Sequence, residues 1–234
     1  MSAFAIKLIA IIAMVIDHVG YIFFPQTTVL RIIGRLTMPI MAFFAAEGFE
    51  KTRNRFRYLL RLFIFAAISE LPYRLAFNII PEKQYYPSNV IFTIFLGVLA
   101  LTLGEFLTKK TKAPIIRFLP YLLCMYLAWY FYTDWNWLGV LMVIALYYAR
   151  KSKPKQALFL GGSYLLYILA EWYHRFLKGT LIYGLSSPIH LFGLFSLIFI
   201  FLYNGKRGCP RPMGYLFYVF YPLHLIVLYL FKFI

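Results

Sequence analysis

Asp17 and His18 stand side by side roughly two-thirds of the way along an apolar run that opens at Phe4 and ends at Phe24. A charged group at the centre of a bilayer costs of the order of 2.5–3.5 kcal/mol, so an ionisable pair there points to a use. Imidazole can accept and return a proton near neutral pH, which makes His18 a candidate general base, with a transient nucleophile as the variant. Asp17 projects about 100° away from His18 on a helix. It therefore either orients His18 or pairs with Arg35 on the next run, and Glu70 is an alternative partner for the imidazole.

Other polar groups fall at a similar depth. Arg31 and Arg35 lie one turn apart near the start of the second run, and Glu70 and Arg74 repeat that spacing at the end of the third. Asn89 begins the fourth run, His190 the eighth, and His224 lies near the middle of the ninth. In Tyr221-Pro222-Leu223-His224 the proline frees a carbonyl, which a bilayer tolerates only beside protein or water, so His224 is expected to face the bundle interior. Gly34-Arg35 followed by Pro39 suggests a similar break in the second helix. Glu47 either meets a ligand or pairs with Lys51 four residues on. Carboxylates and arginines alone could form an ion-pair lattice that fastens helices together, whereas histidines favour proton chemistry. Asp134, Glu82, Glu105, Glu171 and His174 lie in or near loops and read as solvated.

The elements that position these groups follow from composition. Hydrophobic residues make up 62% of the 234-residue chain and charged residues 14%, against roughly a quarter charged in a globular domain. With a mean hydropathy of +0.74, the fold class is all-α, a polytopic transmembrane helical bundle forming a single domain over residues 1–234. At about 20 residues per span, nine helices are expected, at approximately 3–24, 29–49, 57–78, 89–108, 117–132, 137–149, 157–176, 189–203 and 212–232. Gly161-Gly162 and Ala45-Ala46 are expected to allow close helix packing.

The net charge of +16 comes from 24 basic residues concentrated in alternate loops, around Lys51 to Arg57, Lys109 to Arg117, Arg150 to Lys155 and Lys206 to Arg211. By the positive-inside rule these loops, and the N-terminus, are cytoplasmic; the C-terminus and the loops at Pro25–Thr28, Pro81–Ser88, Thr133–Asn136 and Arg175–Pro188 face outward. The charge then reflects topology and contact with anionic lipid, and nucleic-acid binding is unnecessary. Arg53, Arg55 and Arg57 are also candidates for gripping the phosphates of an anionic cofactor. Cys124 and Cys209 are too differently placed to pair, and no metal-ligand spacing appears, so no metal is expected. The first run is read as a retained span of an integral membrane protein rather than a cleaved leader.

The run Ile16-Asp17-His18-Val19-Gly20, then Leu30-Arg31-Ile32-Ile33-Gly34-Arg35-Leu36 leading to Pro39 and Glu47-Gly48-Phe49, then Ser69-Glu70-Leu71-Pro72 and Asn89 with Phe92-Thr93, resembles the TraX family of polytopic membrane acetyltransferases. The closing Phe220-Tyr221-Pro222-Leu223-His224-Leu225 resembles the last-helix motif of that family and of the wider membrane acyltransferase superfamily. The resemblance is close over the first hundred residues and the final helix; from Leu101 to Tyr203 it lies mainly in hydropathy.

What it implies is acetyl transfer from acetyl-CoA, in a bacterial plasma (inner) membrane, with Asp17, His18, Arg35, Glu47, Glu70, Asn89, Tyr221 and His224 as the functional set. The nucleotide would stay at the basic face, the long arm would thread the bundle, and Asn89 or Arg35 would stabilise the oxyanion. The acceptor, a protein N-terminus, a glycan or a small molecule, is left open. The rival reading of the same polar cluster is a proton-coupled transporter or channel, although the chain lacks the inverted repeats common in such folds.

Overall fold

The computed structural model describes residues 1–78, 88–178, 188–210 and 215–233. Most of the loops expected at Pro81–Ser88 and Arg175–Pro188, with Glu82, and the start of the ninth expected span, with Arg211, lie outside the described residues.

Among the described residues the chain forms α1 (Ala3–Phe23), α2 (Thr28–Gly34), α3 (Thr37–Lys51), α4 (Arg55–Ala76), α5 (Val90–Thr111), α6 (Phe118–Tyr130), α7 (Asn136–Ala149), α8 (Lys153–Leu177), α9 (Ser196–Phe201) and α10 (Leu216–Leu230). Short 3-10 turns at Pro114–Arg117, Pro188–Phe195 and Phe231–Phe233 extend α6, α9 and α10. Among the described residues, four helical stretches are long and apolar enough to cross a membrane: Ala3–Phe23, Thr28–Lys51, Val90–Thr111 and Leu216–Phe233. Leu8, Ile12, Leu122, Leu165 and Leu223 are among many large apolar side chains on the outside, as expected where the solvent is lipid.

The second expected span is split in two. Pro39 cannot donate to the Arg35 carbonyl and its ring would clash with it, so the helix stops at Gly34 and restarts at Thr37 with Pro39 in the first turn, where an amide is dispensable. The released Arg35 carbonyl faces Gly193, where a Cβ would come within 3.0 Å of it. Thr37 Oγ1 donates to the Ala10 carbonyl at 3.1 Å and ties the restart to α1.

α1 packs against α2 and α3, α4 against α5 and α10, and α7 against α3, α5, α6 and α8. The close approaches run through Gly97, against Val143, and Gly139, against Thr93 and Met38. Gly161 and Gly162 contribute none: a Cβ at either would meet nothing within 4 Å, because that face of α8 points away from its neighbours. Ala45 and Ala46 are buried.

α1 is also held at its start. The Ser2 side chain accepts from the Ala5 amide, and the free amides of Ala3 and Phe4 donate to the Lys206 and Arg207 carbonyls at 2.9 and 3.0 Å. Orphan donors of the first helical turn are thus satisfied by the loop that leads toward α10.

Candidate functional site

One face of α1 carries Lys7, Ile11, Met14 and His18, at helical spacings of four, three and four, and all four line an elongated cavity of about 120 Å³. α3 supplies Met38, Met41, Phe44 and Ala45, preceded by Gly34 and Thr37; α4 supplies Tyr58 and Leu62, and α5 Val90, Ile91 and Ile94. Phe217, Tyr218 and Tyr221 close it from α10, with Asp134 and Trp135 from the turn between α6 and α7. The volume is close to that of an engineered core cavity of about 150 Å³ that takes up a benzene-sized guest, so the space suits a small acyl group on a narrow chain.

His18 Nδ1 lies 2.9 Å from His224 Nε2, and His224 Nδ1 lies 3.0 Å from the Phe220 carbonyl. A carbonyl only accepts, so His224 carries its proton on Nδ1 and offers a lone pair at Nε2. With both rings neutral, His18 must then donate from Nδ1, which leaves its Nε2 with a lone pair. His18 is thus an imidazole with a free lone pair, oriented by a second group, an arrangement that can serve acid–base chemistry. Phe77 meets the His18 ring edge-on at 5.0 Å between centroids and Phe220 stacks on His224 at 5.1 Å, so both imidazoles have fixed planes. Neither Glu70 nor Asp17 is the partner of His18.

Asp17 instead faces the arginines. Its carboxylate lies 2.9 Å from Arg31 Nη1 and 3.7 Å from Arg35 Nη2. Gly34 makes this possible, since a Cβ there would overlap the Asp17 side chain. Arg35 is buried between Asp17 and the face of Trp135, 5.4 Å from that ring. His190 lies on the far side of Trp135, in edge contact with Trp135 and Tyr167, and not on the cavity wall.

Glu70 and Asn89 form a latch between α4 and α5. Asn89 caps α5 by accepting from the Ile91 amide at 3.1 Å, while its Nδ2 donates to Glu70 Oε2 and to the Ala66 carbonyl, both at 2.8 Å. The other Glu70 oxygen takes Arg74 at 2.9 Å. With its amide protons committed and its side chain off the cavity wall, Asn89 cannot serve as an oxyanion donor. Tyr221 does line the cavity, and its ring lies 5.4 Å from His224. Glu47 pairs with Lys51 at 2.8 Å and also lies off the wall.

Two loop carboxylates expected in solvent are not there. Asp134 turns into the cavity wall, and burial pushes its carboxyl up to about 6, against the opposing pull of Arg35. Its carbonyl accepts from Thr93 Oγ1 and its amide donates to Ser88 at 2.8 Å. The turn is tight: Tyr132, Trp135 and Asn136 have φ of 50°, 63° and 47°, a region that non-glycine residues seldom adopt. Glu105 is partly buried between Arg55 and the Tyr147 hydroxyl, which donates to it at 2.8 Å. Arg55 is therefore committed, and none of Arg53, Arg55 and Arg57 lines the cavity.

The family described as TraX protein matches residues 2–232. The chain belongs to the TraX family. The TraX-family chain is 32% identical to the protein named "Probable fimbrial assembly protein FimC, serogroup H1" of Dichelobacter nodosus, over 97% of this chain and 94% of that protein. It is also 36% identical to an uncharacterised protein of Rickettsia prowazekii, over 39% of this chain and 33% of that protein. No solved structure matches. Family membership and the apolar helices together make this a membrane protein of the TraX family.

Lys7, Asp134 and Trp135 are wall residues that hydropathy and motif reading passed over. The signal for Lys7 was in the chain: it shares a helical face with Ile11, Met14 and His18. Asp134 and Trp135 carry no comparable signal, because hydropathy does not tell a loop folded back into the bundle from one exposed to water.

Proposed function

We propose that this TraX-family protein transfers an acetyl group from acetyl-CoA to an amine or hydroxyl acceptor, with His18 as general base. The observation that carries this reading is His18 itself: it stands in the wall of a narrow cavity, oriented from behind by His224, with a lone pair left at Nε2.

The acceptor nitrogen or oxygen attacks the thioester carbonyl carbon while His18 Nε2 takes its proton. The new C–N or C–O bond forms, the C–S bond breaks, and the departing sulfur receives the proton back as a thiol. Positioned acid–base catalysis of this kind is typically worth 10²–10⁴-fold. The Tyr221 hydroxyl, on the same wall, is the donor we assign to the developing oxyanion. Asp17, held by Arg31 and Arg35, fixes the end of α1 that carries His18 and the α2–α3 break beside it.

The topology that suits this chemistry places Lys7 and the basic loops toward the cytoplasmic donor and His18 in the outer half of the membrane. The name of the Dichelobacter nodosus protein, matched over nearly the whole of both chains, supports an acceptor among the subunits of a fimbria.

The test is thiol release from acetyl-CoA by the purified protein in detergent, with His18→Ala beside it. Slow release that saturates with donor and disappears in His18→Ala supports transfer. Absence of donor binding by a folded, monodisperse protein overturns it and moves proton-coupled transport to first place.

A further inference from the structure

Lys7 lies at the opposite end of the cavity from His18, and it lies there as a cation without an anion. Its ammonium sits over the rings of Phe44 and Phe217, 5.0 and 5.4 Å from their centroids. Among the described residues no carboxylate comes within 4.0 Å of it, and Glu47, the carboxylate in its field, is occupied by Lys51. Arg61 and Arg207 act against Glu47 on it, and the Cys209 thiol is in its surroundings as well. A half-buried ammonium between aromatic faces, with no anion at ion-pair distance among the described residues, is a site for an anion that the chain does not itself supply. It is not simply a lipid-facing positive charge: the outward positions of this part of α1 are Leu8 and Ile12, whereas Lys7 lines the cavity.

The length of the cavity says which anion. Lys7 and His18 are eleven residues apart on one helix, which at 1.5 Å per residue is about 16 Å. In an acyl-CoA the pantetheine arm places about thirteen bonds between the thioester sulfur and the first phosphorus. At the reach per bond of an extended polypeptide that is about 15 Å. A thioester at His18 therefore sets the first phosphate beside Lys7, with the amide-containing arm along Met14 and Ile11.

We propose that Lys7 binds the phosphate at the far end of the donor's pantetheine arm and so acts as the gauge that brings the thioester to His18. The proposal rests on the acyl-transfer reading. It assigns donor recognition to a residue of α1 rather than to Arg53, Arg55 or Arg57. The same phosphate is present in coenzyme A and in free phosphopantetheine, and the test separates them.

Purified protein is assayed for thiol release with three donors: acetyl-CoA, acetyl-4′-phosphopantetheine and acetyl-pantetheine, which lacks the phosphate. In the wild type both phosphorylated donors are expected to exceed acetyl-pantetheine by roughly 10- to 100-fold in kcat/KM, the range for a hydrogen bond to a charged group. Lys7→Met, which keeps an unbranched chain between the rings, should erase that preference by raising KM while kcat at saturation holds. Lys7→Arg should restore part of it, and Lys151→Met, in an exposed loop, should leave it intact. A preference for acetyl-CoA over acetyl-phosphopantetheine would add a nucleotide contact beyond Lys7 without changing the role of Lys7.

Equal preference in wild type and Lys7→Met overturns the proposal and leaves acyl transfer standing. So does a wild type indifferent to the phosphate, which is read without any variant. Thiol release from none of the three donors by folded wild type overturns the acyl-transfer reading, and the assignment of Lys7 with it.

Discussion

His18 on α1 and His224 on α10 are 206 positions apart in the chain and joined by a 2.9 Å nitrogen–nitrogen hydrogen bond. Because the Phe220 carbonyl fixes the proton of His224, the pair has a direction: His224 accepts, His18 donates, and the lone pair of His18 is left on Nε2.

That direction predicts unequal losses. His18→Ala removes the base and should lower thiol release from acetyl-CoA by about 10²–10⁴-fold. His224→Ala removes only the orienter and should cost roughly 10- to 100-fold. His224→Gln, whose side-chain oxygen can accept from His18 Nδ1, should recover part of the loss. If His224→Gln is no better than His224→Ala while both fold as well as the wild type, the orienting role is wrong.

Tyr221 is one of two tyrosines that α10 brings to the cavity wall, and its ring lies 5.4 Å from that of His224. Tyr221→Phe keeps the ring and removes the hydroxyl, and should lower kcat by about 10²-fold with little change in KM, since an oxyanion exists only in the transition state. An effect confined to KM would instead make Tyr221 a ground-state contact.

Gly34→Ala should damage the site at a distance from His18. The added methyl overlaps the Asp17 carboxylate, so the ion pair with Arg31 must shift, at a cost of about 1–3 kcal/mol in the range for overpacking. Thermal unfolding in detergent reads the stability loss. Gly161→Ala, where a Cβ has open space, is the matched control and should show none.

Asp134 gives a pH dependence of defined sign. Its folded-state value of about 6 lies above the ordinary carboxylate value of 3.8, so the folded state favours the protonated form. Its contribution to stability is present in full below about 4 and is lost as pH rises through 6. Asp134→Asn, which cannot ionise, should therefore be more stable than wild type at pH 7.5, by up to about 3 kcal/mol, keep roughly half of that advantage at pH 5 and lose it below about pH 4. A difference that does not vary with pH would show that the carboxyl does not titrate in this window.

Asn89→Ala should behave as a structural variant. It removes the cap of α5 and the Nδ2 donor to Glu70, so the variant is expected to unfold at lower temperature, with a loss of about 0.5–2 kcal/mol for the cap alone. The folded fraction should keep its kcat, because Asn89 does not face the cavity.

Much of this arrangement was legible in the residues. The apolar runs, the break that Pro39 imposes after Gly34, and the inward turn of His224 beside Pro222 all follow from rules that act within one helix. Pairing between helices does not. Glu70 and His18 lie at similar depth, yet depth in the bilayer says nothing of which cavity a side chain enters, and Glu70 serves α5 while His18 meets His224. Glu47 pairs with Lys51 four residues on, a contact that helical spacing makes legible, whereas the pairing of Arg55 with Glu105 joins two helices and is not. Asp134 was misplaced because a tight turn of left-handed residues carries it back into the bundle, and such geometry leaves no periodic trace.

The amides of Ala3 and Phe4 rest on Lys206 and Arg207, and His18 rests on α10, so α1, packed along its length on α2 and α3, takes the partners of both its ends from the far part of the sequence. Until residue 224 has been synthesised and inserted, His18 has nothing to fix its tautomer and the start of α1 has no carbonyls to dock on. A chain truncated before residue 206 would leave both ends of α1 unsatisfied at once, its first amides without those acceptors and His18 without its partner ring.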